Sequence, residues 1–180
     1  MAISEGARPS RSEQPKLREL RVGETFKPFE DLVFPNPQFT KDHPVRINFV
    51  FNGIHGELTL MRNIHYGLTP GDKDKLPLSM YSVFMLNEAE YRQLNNYAMK
   101  LTSIGEDGKE EHCYLSLGDN VSFDQLKRRS GIDKDGRVWL QNMHFQRTEG
   151  EGIFELPIYE KNIASAQARI VEKPFPMGYY

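Results

Sequence analysis

Cysteine is almost absent from this chain: Cys113 stands alone among 180 residues. One thiol excludes an internal disulfide framework and a cysteine-rich zinc site, and gives no sign of an oxidising compartment. Charge of either sign is not in excess. A formal charge of −2 and an isoelectric point near 6.2 exclude a global pull toward phosphate or an anionic membrane, so a nucleic-acid role would need a local patch. Long apolar runs are missing too. Nothing approaches the length of a membrane span, and the opening MAISEGARPSRSEQPKL has no apolar centre of the signal-peptide kind. A chain that is soluble and intracellular at synthesis is the expectation. Hydrophobic residues amount to 38% and the mean hydropathy is −0.60, so part of the chain should lie outside the core.

The motifs of chemistry are equally sparse. His43, His55, His65, His112 and His144 show no HExxH pairing or other ligand spacing, and neither a metal nor a cofactor is expected. P-loop, GxSxG and kinase signatures are missing. Asp133-Lys134-Asp135-Gly136 begins like a calcium loop, but its glycine comes too early and no bidentate glutamate follows at the required distance, which leaves a turn. Gly150-x-Gly152 lacks the rest of a dinucleotide fingerprint and precedes a strand. Cys113 shares a strand face with Leu115 and Leu117 and reads as a buried apolar thiol; His112 beside it points to the other face, so the two make no local dyad. Two carboxylates brought together from distant segments would leave no local signature, and acid/base chemistry of that kind stays open at this level.

What is present is a hairpin. Asn52-Gly53 sits between two alternating runs, and both central residues of a tight I′ turn must accept positive φ. That turn sets Phe51 against Ile54, Phe49 against Gly56, Ile47 against Leu58 and Val45 against Leu60, one continuous apolar face. Arg46, Asn48, Asn52, Thr59, Met61, Asn63 and His65 make a mostly polar opposite face.

Around the hairpin the chain divides into an extended proline-rich arm over 1–44, a β-rich domain over 45–172 and an aromatic tail over 173–180. Leu76 to Leu86 is apolar on both faces, as a strand in the interior of a sheet would be. Asn87 to Glu90 and Ser122 to Gln125 have capping-box spacing and predict two short helices, the second ended by Gly131. Residues 97–104 favour a strand over a continued helix, 110–117 is a strand, and 137–147 follows the Asp135-Gly136 turn as another. Residues 163–171 fit a helix or a strand equally. Pro157 makes 153–159 an edge strand or a bulge. The total is six or seven strands joined by short turns, with two or three small helices. This predicts a mainly β fold: an antiparallel sandwich or partly open barrel with extended terminal arms.

Two constellations point to recognition. Apolar residues in the arm, Phe26, Phe29 and Phe34, suit docking on a partner, and Phe175, Met177, Tyr179 and Tyr180 in the tail suit docking either on the chain's own domain or on neighbouring subunits. They lead to the expectation of a non-enzymatic assembly protein, such as a virion decoration or tail component, with protein subunits as partners and no membrane. The alternative is a single-strand nucleic-acid module of the OB type. A strand over 137–147 would align Arg137, Trp139, Phe145 and Arg147, with Lys127, Arg128 and Arg129 on the preceding helix. The competing account of the same strand places Trp139, Met143 and Phe145 in the core, because burying two large aromatics contributes several kcal/mol to a small sheet.

Overall fold

The structure, a computed structural model of the chain, describes residues 17–32, 44–62, 78–104, 108–142, 145–149, 152–153 and 160–177. The strands run β1 (Leu17–Leu20), β2 (Val45–Phe51), β3 (Ile54–Arg62), β4 (Leu78–Leu86), β5 (Tyr97–Ile104), β6 (Glu110–Ser116), β7 (Val138–Asn142), β8 (Phe145–Gln146), β9 (Gly152–Ile153) and β10 (Gln167–Glu172). Helix α1 (Glu88–Leu94) precedes β5, helix α2 (Phe123–Ser130) precedes β7, and a 3-10 segment, Glu160–Ser165, precedes β10. Seven of these strands have five residues or more; β1, β8 and β9 are shorter.

Local chemistry accounts for the elements. Asn52 and Gly53 adopt φ values of 52° and 79°, as a I′ turn requires, and the β2–β3 register runs from Phe51 opposite Ile54 to Val45 opposite Leu60. Both helices start at complete capping boxes: Asn87 with Glu90, and Ser122 with Gln125. Gly131, at φ 75°, ends α2. Residues 97–104 are a strand, and the ambiguous 163–171 divides into the end of the 3-10 segment and β10.

The strands form two five-stranded sheets, ordered β1-β2-β3-β4-β7 and β10-β5-β6-β8-β9. Every pairing is antiparallel except β1 with β2. The sheets are not closed into a barrel; they pack as a sandwich, with Phe49, Phe51, Leu58, Leu60, Met80 and Phe84 of the first sheet in one core with Met99, Leu101, Cys113, Leu115 and Phe145 of the second. Phe51 meets Tyr97 across the layers edge to face, ring centroids 5.1 Å apart.

Two expectations are corrected. The first concerns the extended arm over 1–44: within it residues 17–32 contribute a strand and join the sandwich. β1 extends the first sheet, then Val22 and Phe26 form isolated bridges to Ile170 and Ala168 of β10 in the second. The strap so formed satisfies backbone groups on both sheet edges, which is worth more than leaving it in solvent. The second is the continuous strand over 137–147. The chain leaves the first sheet after β7 and enters the second at β8, and this reverses which parity of residues faces inward. Val138 and Leu140 are buried while Trp139 is exposed, yet Phe145 is buried. Neither sequence reading of that segment, all aromatics out or all aromatics in, survives the crossover. Phe34, Met143, Pro157, Tyr179 and Tyr180 lie outside the described residues.

Gly56 is buried between Phe49 and Phe84, its cross-strand neighbours on either side. A Cβ there would stand 2.6 Å from Phe49 Cζ. Gly56→Ala is therefore expected to lower unfolding free energy by about 2 kcal/mol, as overpacking does, in urea denaturation followed by far-UV circular dichroism; an unchanged midpoint would show that the rings yield freely.

Candidate binding surface

Period-2 alternation that sends the apolar face of the first sheet inward sends Leu17, Asn48, His55, Glu57, Val83, Met85 and Trp139 outward. Register brings them together: Leu17 lies against Asn48, Asn48 against Glu57, Glu57 against Val83, and Met85 against Trp139. Leu17, Met85 and Trp139 are 55%, 40% and 47% exposed, high for side chains of this size on a sheet face. An open groove of about 730 Å3 is lined by Leu17, His55, Glu57, Val83 and Met85 and ends at Glu90 and Arg137; Trp139, opposite Met85, stands beside it and not in its lining.

The charges around this groove are mutually satisfied. Glu90 Oε1 accepts the Asn87 backbone N–H at 3.0 Å, closing the α1 capping box, and accepts Arg137 Nη1 at 2.6 Å. Arg137 Nη1 also donates to the Met85 carbonyl at 3.2 Å. Glu57 accepts the Thr59 hydroxyl at 3.1 Å and faces Arg46 Nε at 3.6 Å. On a surface with its ions internally paired and its apolar groups open, covering the apolar area strands no lone charge. Among the described residues no three His, Cys, Asp or Glu side chains converge in a way that could hold a metal, and no helix is long and apolar enough to cross a membrane. Burial pushes the Cys113 thiol up to about 12, against a lesser pull from Arg147, so it stays protonated and is a packing group.

The residues singled out from the sequence are distributed differently. Phe29 and Met177 are buried within this chain and Phe26 packs against its core. Phe175 is half-buried, edge-on to Tyr114 at 5.7 Å. Phe29 and Met177 thus spend their apolar area on their own domain, whereas Phe26 and Phe175 keep part of theirs open. Phe34, Tyr179 and Tyr180 fall outside the described residues.

Of the basic and aromatic array, Trp139 is exposed on the first sheet while Phe145 is buried on the second, so they share no surface. Lys127 pairs with Asp124 at 3.1 Å and lies over the Phe123 ring, Arg129 pairs with Asp119, and Arg137 pairs with Glu90. Arg128 and Arg147 are exposed. The strip of cations flanking stacked aromatics is thus dispersed. The residues missed were Leu17, Val83 and Met85. For Val83 and Met85 the signal was in view: Leu76 to Leu86 is apolar on both faces, a pattern that fits a doubly buried strand and equally one with an exposed apolar outer face.

Compared with family models, curated protein sequences and solved structures, the chain shows no match.

A second polar cluster anchors the segment after β10. Lys173 Nζ donates to Asn95 Oδ1 and to the Met177 carbonyl, both at 3.2 Å, and the Lys173 backbone N–H donates to Asn96 O at 3.0 Å. Desolvation lowers the Lys173 amine from 10.5 to about 8, with Asp119 pulling the other way. Between those two values the unfolded chain binds more protons than the folded one, so this group adds stability as pH rises from about 8 toward 10.5, and that gain is lost as pH falls back through 8. Urea midpoints of wild type minus those of Lys173→Met should grow from pH 7.5 to pH 9.5; a flat difference would place the amine in bulk-like solvent.

Proposed function

We propose that the protein is a non-enzymatic assembly component, of the kind that decorates or builds a virion, and that it binds neighbouring protein subunits, copies of itself first. The observation that supports this reading is the outer face of the first sheet, where Leu17 and Met85 stand exposed along an open groove whose charges are already paired and Trp139 stands exposed opposite Met85. Exposed aromatics of this kind contribute most to interfaces, Trp above all. The terminal segments share the task through Phe34, Tyr179 and Tyr180, whereas Phe26, Phe29 and Met177 act inside the domain, holding the strap and the tail in place.

The single-strand nucleic-acid reading retains one specific support, the exposed indole of Trp139. Arg137 beside it is held by Glu90 and offers phosphate less than a free cation would.

Light scattering on the full chain separates the two. The assembly reading requires a mass above the 20.8 kDa of one chain at tens of micromolar, shifted toward monomer by Met85→Ser with Trp139→Ser, at an expected loss of about 2 kcal/mol in association. Removing residues 178–180, a cut placed after buried Met177, should weaken association without lowering the melting temperature. A chain that stays solitary at every concentration would overturn this function. Trp139 fluorescence quenched by a single-stranded oligonucleotide, with affinity falling as salt rises, would put the nucleic-acid function in its place.

A further inference from the structure

On the outer face of the second sheet, two cations, Lys100 and Arg169, form no ion pair with a carboxylate among the described residues. Register places Lys100 on β5 directly against Arg169 on β10, and Gln167 against Thr102 one pair away. Opposed residues of an antiparallel pair hold their Cβ atoms about 5 Å apart, and like charges in that relation destabilise the sheet. Among the described residues no carboxylate forms an ion pair with either; Lys100 has only the Tyr114 ring beneath it, 5.9 Å from Nζ to centroid. The strap adds a wall. Backbone bonds between Phe26 and Ala168, at 2.9 Å and 2.8 Å, carry Thr25 across the β10 edge. The result is a polar depression of about 160 Å3 lined by Thr25, Lys100, Thr102, Glu110, Gln167 and Arg169.

We propose that this depression binds a phosphate group, gripped between Lys100 and Arg169. Two adjacent cations and three neutral donors, the hydroxyls of Thr25 and Thr102 and the amide of Gln167, supply what a tetrahedral oxyanion accepts. The volume suits one such group rather than a whole nucleotide. Glu110 narrows the chemistry further, because a carboxylate in the lining can accept a hydrogen bond from a protonated phosphate oxygen but only repels sulfate, which has no proton to give near neutral pH. The ligand is therefore hydrogen phosphate or a phosphomonoester carrying one proton. An anion there also removes the repulsion within the Lys100–Arg169 pair, which ties binding to stability.

Thermal unfolding of the full chain in chloride, sulfate, inorganic phosphate and glycerol 3-phosphate, at one ionic strength and pH 6.5, tests this. Either phosphate compound at 10 mM should raise the melting temperature by about 3 °C over chloride, with sulfate giving less than half of that. Whichever of the two acts at lower concentration identifies the source as free phosphate or an ester. Lys100→Gln and Arg169→Gln should melt at or above the wild-type temperature in chloride, since each relieves the repulsion, and should lose the phosphate response. In 15N-labelled protein, phosphate should shift the amides of Thr25, Thr102 and Gln167. Equal stabilisation by phosphate, sulfate and chloride, or a phosphate response that persists in Lys100→Gln and Arg169→Gln, would overturn the site.

Discussion

Phe49 and Phe84 meet edge to face, ring centroids 5.7 Å apart and planes at 87°, because the residue between them on the middle strand is Gly56. The rest of the first sheet depends on that contact. It holds β2, β3 and β4 in one register, and a slip of a single residue along β3 would turn His55 and Glu57 into the core and Leu58 and Leu60 out of it. The Asn52-Gly53 turn and the Gly56 gap therefore specify the same arrangement from two independent causes, one in backbone conformation and one in packing volume.

With the inner face settled, the remaining problem for a two-layer sandwich is its edges. On one side the chain handles this with a strap: β1 adds to β2 in parallel, and the residues that follow bridge to β10 in the opposite sheet, so a single extended segment covers an edge of each layer. Phe29 and Leu32 are buried in the same core as the sheets, which fastens the strap by apolar area as well as by backbone bonds. On the other side the chain itself crosses between layers from β7 to β8. That crossover leaves Trp139 on an edge strand with its indole outward, beside Met85.

The two outer faces have consequently different chemistry. On the first sheet, Glu90 and Glu57 neutralise Arg137 and Arg46, and what stays open is apolar. On the second, Tyr114 is hemmed in by His112, Phe175 and Lys100, and what stays open is polar and cationic. One surface leaves apolar area open to solvent, the other leaves positive charge.

Turn identity, the capping boxes at Asn87 and Ser122, the buried character of Cys113 and the inward row from Val45 to Leu60 were all written in the sequence, since each rests on residues within a few positions of one another or on a strict period of two. The sequence left open which way Phe26, Phe29, Trp139 and Met177 would face, and for one reason. Whether an apolar side chain on an irregular or crossing segment faces its own core or the solvent depends on where distant strands lie, and local sequence carries no record of that. Phe29 turned inward because β10 stood ready to bond the strap; Trp139 turned outward because its strand joined the first sheet and the next one joined the second. The chain alone thus determined its elements and the composition of its core, while tertiary structure decided which adhesive residues were left on the outside.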